Sequence, residues 1–544
     1  MPSGNSTTYE ELRETFRWDI PQAFNIGVVC CDRHPARAPA LVEISPQGEE
    51  RTFTFDDIRT LSNRLANGLS GLGIVPGDRV AIVVPQSVEA AIAHIAVYKL
   101  GAIALPLSIL FGPDALAFRL NDAGARAAIV GENACSKLED IRDDLPNLET
   151  IIVVEARTRF SPRGGRTRAF DDVVSSAAPD FTAHPTSSDD PALLIYTSGT
   201  TGPPKGALHA HRVLLGHLPG FELSHDFFPR DGDGFWTPAD WAWIGGLLDA
   251  LLPSWFHGVP VIAAVRERFD PEWAFGILSD SRVRNAFLPP TALKLMREAT
   301  PPSTQPDLRS VMSGGEALGE EMLSWGREAL GVTVNEIYGQ TEVNYIVGNC
   351  SSTWEVRPGS MGRPYPGHDV QVINESGEPM PDGEPGEIAV RAPDPVMFLE
   401  YWKRPEATQD KVGSGWLRTG DAASRDADGY LWFRGRTDDI ISSAGYRIGP
   451  GEIEECLIRH EAVTMAAVIG VPDPTRGEVV KAFVVLRAGR GPSPDLEQEI
   501  RAHVKERLAT FEYPRQIEFV DELPMTTTGK IQRAVLRQRE TEKG

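Results

Sequence analysis

Between Phe53 and Val130 short apolar runs alternate with stretches of helical period. The segment DDIRTLSNRLANGLSGLG sets Ile58, Leu61, Leu65, Leu69 and Leu72 on one helical face and stops at glycine. VAIVV (80–84) predicts a buried strand, EAAIAHIAVYKLGA a helix, IALP a strand and AAIV (127–130) another. Such alternation predicts a parallel sheet covered on both faces. Residues 157–190, rich in Arg, Ser, Pro and Asp, read as a surface connection, and ALLIY (192–196) as the next strand. Beyond Gly359 the texture changes to short alternating strands with turns, as in DVQVINESGEPMPDGEPGEIAVR, which predicts a β-rich subdomain. From about Asp438 to Gly544 a compact α+β piece follows. It has a helix near PGEIEECLIRH, strands AAVIGV and KAFVVL, and a helix from Asp495 to Leu508. There is no internal repeat and no low-complexity tract.

Composition narrows the classes. A chain of 544 residues, 41% hydrophobic and 24% charged, is globular and long enough for two or three domains. A formal net charge of -22 argues against a nucleic-acid binder, so any anionic ligand must be met by locally placed donors. The five cysteines, Cys30, Cys31, Cys135, Cys350 and Cys456, form no CxxC pair and no His-linked metal spacing, which suits reduced, buried thiols. No basic leader with an apolar run opens the chain, and no apolar stretch reaches a membrane span, so a soluble, cytoplasmic protein is expected.

The stretch with most chemistry is YTSGTTGPPKGALHAH, Tyr196 to His211, directly after ALLIY. The P-loop pattern G-x-x-x-x-G-K-[ST] fails, because Pro204 precedes Lys205 and Gly206 follows it. The glycines at 199, 202 and 206 do not fit a dinucleotide fingerprint. A flexible surface loop is the plain alternative for such a composition. Against it, hydroxyls, exposed amides and one lysine beside a buried strand are the groups that cradle a polyphosphate.

YTSGTTGPPKG resembles, nearly residue for residue, the phosphate-binding signature of the adenylate-forming superfamily: acyl-CoA synthetases, peptide-synthetase adenylation domains and luciferases. YGQTE (338–342), TGD (419–421), GRTDDIISSAGYRIGPGEIE (435–454) and TTTGKIQR (526–533) resemble the family's later signatures, in the family's order. Within the superfamily, GYRIGPGEIE, PDPTRGEVVKAFVVL (472–486) and LPMTTTGKIQR are most similar to medium-chain acyl-CoA synthetases of the acetyl-CoA synthetase-like branch. The resemblance covers about residues 50–540. It implies an α/β fold: a large N-terminal domain (1–437) of two βαβ layered subdomains plus the β-rich one, and a small mobile α+β domain (438–544).

The implied reaction has two halves. A carboxylate attacks the α-phosphorus of ATP, giving an acyl-adenylate and pyrophosphate, and the CoA thiol then displaces AMP. The first half brings two anions together, so charge neutralisation and positioning are the physical problem. By the resemblance, Lys530 stands between carboxylate and α-phosphate, and Thr197, Ser198, Gly199, Thr200, Thr201, Gly202 and Lys205 hold the pyrophosphate portion. Glu342 ligates Mg²⁺, an oxygen-seeking cation that keeps substrate phosphates as ligands. Tyr338 stacks on adenine, with Gly315, Glu316 and Ala317 lining the base pocket and Glu336, Gly339 and Gln340 beside the nucleotide. Thr341 falls among the catalytic positions. Asp421 accepts from the ribose hydroxyls and Arg436 donates to the same sugar.

Asp438 falls at the family's hinge, rotation about which withdraws Lys530 and presents the tunnel for the pantetheine arm of CoA. Ala444, Gly445 and Tyr446 match the strand lining that tunnel, Arg447 a conditional active-site contact, and Arg476 a CoA-phosphate arginine. In the acyl pocket, acetate-specific relatives carry tryptophan where this chain has Gly339, which implies room for a longer, branched or aromatic acid. Trp243 matches a usual pocket tryptophan. Trp241 is a departure: a large ring stands where a small residue is expected, and it either borders the pocket or packs the core. His209 and His211 read as residues of the site's wall or just behind it, since an ionised acid has no proton to give up.

Two rivals remain at this stage. One loads a carrier-protein phosphopantetheine instead of CoA; Arg476, and a chain ending 14 residues past Lys530, favour CoA. The other is a nucleotide- or acyl-binding protein without catalysis, against which Lys530, Asp421, Arg436 and Glu342 argue. Luciferase-type oxidation shares the adenylation residues.

Overall fold

The computed structural model describes residues 7–154, 167–197, 204–266, 268–280, 282–315, 318–436, 439, 441–443, 446–473, 477–507, 513–526 and 530–543. They form two compact units. The first comprises the described residues of Met1–Thr197, Pro204–Asp369 and Arg391–Gly415, the second those of Val370–Val390 and Trp416–Gly544.

The helix Phe55–Gly71 forms where its ends and its pattern agree. Thr54 caps it: the Asp57 amide donates to Thr54 Oγ1 at 3.2 Å and the Thr54 amide to Asp57 Oδ2 at 2.8 Å. Ile58, Leu65 and Leu69 are buried as the periodicity predicts, each contributing about 1.5–3 kcal/mol. Against it packs Val88–Lys99, buried at every position but Glu89 because other elements cover it all round.

Two sheets build the first unit. In one, the strands run in the order Glu400–Tyr401, Lys205–Ala210, Pro191–Thr197, Ile103–Pro106, Arg79–Val83, Ala127–Val130, Thr150–Val153 and Thr167–Ala169. The last six are parallel, as the apolar runs predict, and the first two are antiparallel additions. The stretch read as a surface connection supplies an edge strand, Thr167–Ala169, and a helix, Phe170–Ser176, with Phe170, Val173 and Val174 buried. Both elements are too short for a period to show. In the other sheet the order is Arg363–Pro364, Val343–Gly348, Val334–Gln340, Ser310–Gly314, Asn285–Phe287, Phe235–Trp236, Val261–Ala264, Pro39–Ile44 and Glu50–Thr54. Its middle six strands are again parallel.

In the second unit, Trp416–Arg425 pairs antiparallel with Leu431–Arg436, and Val370–Ile373 with Gly386–Arg391. A further sheet orders Tyr446–Ile448, Ile441–Ser443, Gly477–Leu486 and Val463–Asp473, with Gln516–Phe519 parallel to Gly477–Leu486. Helices Pro450–Ile458 and Pro494–Arg507 bury Ile453, Leu457, Ile500 and Val504 against it. The expected boundary at 437/438 lies inside this unit. A Cβ on Gly449 would fall 1.9 Å from the Arg434 carbonyl oxygen, so the chain before helix Pro450–Ile458 lies directly on strand Leu431–Arg436.

Candidate active site

The candidate polyphosphate loop joins two antiparallel strands, Pro191–Thr197 and Lys205–Ala210, rather than a strand to a helix. Strand-to-strand geometry explains why neither the P-loop nor the dinucleotide pattern fits. The register sets Thr197 opposite Lys205, and Thr197 Oγ1 donates to the Lys205 carbonyl oxygen at 3.3 Å. Ser198, Gly199, Thr200, Thr201 and Gly202 lie outside the described residues. Gly206 must be small: a Cβ there would meet Leu194 at 2.9 Å and the Tyr196 ring at 3.2 Å.

Next to this hairpin, strand Glu400–Tyr401 pairs with Lys205–Ala210 and brings in a residue that the sequence did not reveal. The Tyr401 hydroxyl donates to Glu342 Oε1, while Lys205 Nζ lies 5.2 Å from the centroid of the Tyr401 ring. Glu342 is itself buried, and its carbonyl accepts from the Phe398 amide at 2.9 Å. One tyrosine thus links the loop lysine to the candidate Mg²⁺ ligand. Among the described residues no group of three His, Cys, Asp or Glu stands together. A site of one carboxylate fits a cation whose other ligands are phosphates and water.

Strand Val334–Gln340 carries Glu336, Tyr338, Gly339 and Gln340, and Thr341 follows it. Glu336 is buried and accepts from the Leu318 amide at 3.1 Å, holding the loop that contains Gly315. Gly315 adopts φ +105, a backbone favouring glycine. Glu316 and Ala317 lie outside the described residues. Gln340 Oε1 accepts from Lys411 Nζ at 2.9 Å, a second cation the motifs did not announce.

At Gly339 the chain bulges, and a Cβ would fall 2.5 Å from the Tyr345 amide nitrogen and 2.6 Å from Asn344 Oδ1. Glycine is needed here for close approach, and Asn344 fills the volume that a side chain would take. Trp243 is half-buried and meets the Phe111 ring edge-on at 5.9 Å. Trp241 is 2% exposed, and its Nε1 has no hydrogen-bond partner among the described residues. His209 and His211 are fully buried, and burial pushes their pKa values down to about 3 and about 4. Both rings are enclosed and neutral.

In the second unit the TGD motif has a physical account. Thr419 Oγ1 donates to the Ile388 carbonyl at 2.7 Å and accepts the Asp421 amide at 3.1 Å. Gly420 takes φ +75 with the Arg436 guanidinium 3.1 Å from its Cβ position, and Arg436 Nη1 donates to Asp421 Oδ1 at 3.1 Å. Lys530 is exposed; its amide donates to Thr526 Oγ1 at 3.0 Å, and the Thr526 amide to the Lys530 carbonyl at 2.8 Å. Three residues later Arg533 forms a fork on Glu454, with Nε to Oε1 at 2.9 Å and Nη2 to Oε2 at 2.5 Å, and reaches Asp439 at 3.3 Å. Arg537 adds a bond to Asp439 at 2.6 Å. The residue after the expected hinge is therefore tied to the lysine motif. Asp438, Ala444, Gly445 and Arg476 lie outside the described residues, and Tyr446 and Arg447 are described only as backbone of strand Tyr446–Ile448.

Comparison with known proteins is decisive at this point. The family model of the AMP-binding enzymes matches residues 29–402, and that of the AMP-binding enzyme C-terminal domain matches 452–530. The chain belongs to the AMP-binding enzyme family. It is 35% identical over 538 residues to the mitochondrial acyl-coenzyme A synthetase ACSM4 of Rattus norvegicus, covering 96% of this chain and 91% of that protein. Identity to acetyl-coenzyme A synthetase of Bacillus subtilis is 33%, over 98% of this chain and 95% of that one. Among solved structures, the anthranilate CoA ligase AuaEII in complex with anthranoyl-AMP superposes with a TM-score of 0.84 at 31% identity, covering 96% and 98% of the two chains. The enzyme is an AMP-forming acyl-CoA synthetase, using ATP and CoA to activate carboxylic acids. Family and fold class thus agree with the sequence reading. Among the described residues no helix is long and apolar enough to cross a membrane.

Proposed function

We propose that this ligase activates a medium-chain or aromatic carboxylic acid and transfers it to CoA. The observation that carries the reading is the joint presence of Lys205, Glu342 and Lys530 within the residues that the family models match, with Asp421 and Arg436 in motifs that resemble the family's. In the first half, a carboxylate oxygen of the acid bonds to the α-phosphorus as the bond to the pyrophosphate oxygen breaks. Lys530 offsets the repulsion between the two anions, and Thr197, Lys205 and the hydroxyls and amides of 198–202 receive charge on the leaving pyrophosphate. Glu342, oriented by Tyr401, would hold Mg²⁺, which supplies charge neutralisation at the phosphates. Asp421 and Arg436 fix the ribose, and Tyr338, with Gly315 to Ala317, the base. In the second half the CoA sulfur attacks the acyl carbonyl and AMP departs, with Arg476 and the 444–446 strand assigned to CoA and Asp438 to the pivot.

Two features support an acid larger than acetate. No tryptophan stands at Gly339, and aromatic rings flank the 243–245 segment, Phe111 against Trp243 and Phe287 against the Cβ position of Gly245. Since Asn344 occupies the space beside Gly339, that glycine alone does not supply the room. The test is pyrophosphate release with ATP and Mg²⁺ across acetate, hexanoate, octanoate and benzoate, each with and without CoA. Acid-dependent release with CoA-dependent thioester supports the reading. Release with acetate alone overturns the size assignment, and thioester formed only on a carrier protein overturns the acceptor.

A further inference from the structure

Beside the proposed acyl pocket lies a buried polar cluster that the adenylation chemistry does not use. It joins Asp249 in Leu247–Leu251, Asn344 in strand Val343–Gly348 and His217 in helix Val213–Ser224, at 2%, 4% and 0% exposure. His217 Nδ1 lies 2.7 Å from the Val213 carbonyl oxygen, so that nitrogen carries the proton and Nε2 accepts. Asn344 Nδ2 then donates twice, to His217 Nε2 at 3.2 Å and to Asp249 Oδ1 at 2.6 Å. Both amide hydrogens are committed, and the amide orientation follows from them.

Asp249 therefore has an amide on one oxygen and a neutral imidazole 3.7 Å away. Burial keeps His217 uncharged, with its pKa pushed down to about 4, and drives the Asp249 carboxyl well above the usual carboxylate range. Its second oxygen lies on the side of Gly245, where a Cβ would stand 3.7 Å away. Gly245 is two residues past Trp243, and Gly339 abuts Asn344 Oδ1. The cluster thus borders Gly339, through Asn344, and Gly245, through Asp249. A hydrophobic wall would suit a hydrocarbon acid better, because a buried carboxyl is costly unless its oxygens are hydrogen-bonded.

Resting on the ligase reading above, we propose that Asp249, held by Asn344, is a specificity-determining residue that selects acids bearing a hydroxyl or amino substituent over the unsubstituted acid. The substituent and the Asp249 oxygen would share a hydrogen bond, and a site built to make that bond rejects the analogue lacking it.

The experiment measures kcat/KM by pyrophosphate release for matched acids: benzoate against its hydroxy and amino isomers, and hexanoate against 6-hydroxy- and 6-aminohexanoate. Wild type, Asp249→Leu and Asp249→Asn are compared. The expected result is at least one substituted acid exceeding its parent by about tenfold or more in wild type. That ratio should collapse in Asp249→Leu and be partly kept in Asp249→Asn; hydroxyl against amino preference identifies the substituent. A wild-type preference for every parent acid, or a ratio that Asp249→Leu and Asp249→Asn leave intact, overturns the assignment. Should Asp249→Leu not fold, the wild-type panel and Asp249→Asn decide. Absence of release with every acid overturns the ligase reading instead, and calorimetric binding of the same pairs to wild type then decides Asp249 by the same ratio.

Discussion

Asp421 and Arg436 stand opposite each other across two antiparallel strands, and their side chains meet at 3.1 Å. The register of Trp416–Arg425 on Leu431–Arg436 therefore pre-forms a carboxylate–guanidinium pair from two separate sequence motifs. Replacing Asp421 with alanine removes the proposed ribose acceptor and leaves Arg436 without this partner. Charge-assisted hydrogen bonds are worth about 1.5–3 kcal/mol each, so KM for ATP should rise by about 10- to 100-fold. Titration of ATP against pyrophosphate release checks it; an unchanged KM would remove Asp421 from the nucleotide site.

Lys530 should divide the two half-reactions. Lys530→Ala is expected to slow acid-dependent pyrophosphate release by about 10²–10³, the scale for removing one preorganised charge donor. Thioester formation from supplied acyl-adenylate and CoA should survive, because that half has no pair of approaching anions to shield. Equal loss of both halves would assign Lys530 a structural part instead.

The motif residues were legible because each motif is local: a few consecutive positions fix a turn, a cap or a bulge, as Gly420 and Gly315 illustrate. Their partners were not. Tyr401 reaches Glu342 across 59 positions and Arg533 reaches Glu454 across 79, so only the folded chain joins them. Weak signals were present, in the aromatic-rich FLEYWK and in opposite charges inside GEIE and KIQR. The strands of the parallel sheet were readable because both faces are buried and their apolar runs are continuous, whereas Thr167–Ala169 shows no pattern at three residues.

Tyr401 should act on Mg²⁺ through Glu342. Glu342→Gln is expected to raise the Mg²⁺ concentration for half-maximal activity by about 10- to 100-fold, and Tyr401→Phe to raise it less while leaving the order of acid preference alone. Activity measured across a Mg²⁺ series at saturating ATP separates these effects. A Glu342→Gln enzyme with the wild-type Mg²⁺ dependence would move the metal elsewhere.

Burial raises the Glu454 carboxyl above its usual range, and the Arg533 guanidinium, forked on both carboxylate oxygens, opposes that rise. Arg533→Ala leaves Glu454 buried without its fork and loosens Asp439, at a cost of about 3–5 kcal/mol. Denaturant unfolding should show that loss, and Arg533→Met paired with Glu454→Gln should recover part of it. If the double change is no better than Arg533→Ala, the stabilisation comes from packing of the arginine stem.

Acid should destabilise the first unit through its buried histidines. Burial pushes His94 and His209 down to about 3 and His211 and His217 to about 4, below the roughly 6.5 of an unfolded histidine. Between about pH 4 and 6.5 these four histidines therefore bind more protons in the unfolded chain than in the folded one, and their contribution to stability rises with pH through that window. Their contribution is complete above pH 6.5 and is lost as the pH falls toward the folded values, at about 1.4 kcal/mol per pH unit for each histidine. Thermal unfolding from pH 7.5 to 4.5 should show a steep fall in Tm below pH 6. His94→Leu, which removes one of the four groups, should make the fall shallower whatever its Tm at neutral pH. A Tm that stays flat from pH 7 to 5 would mean these rings are not held neutral by the fold.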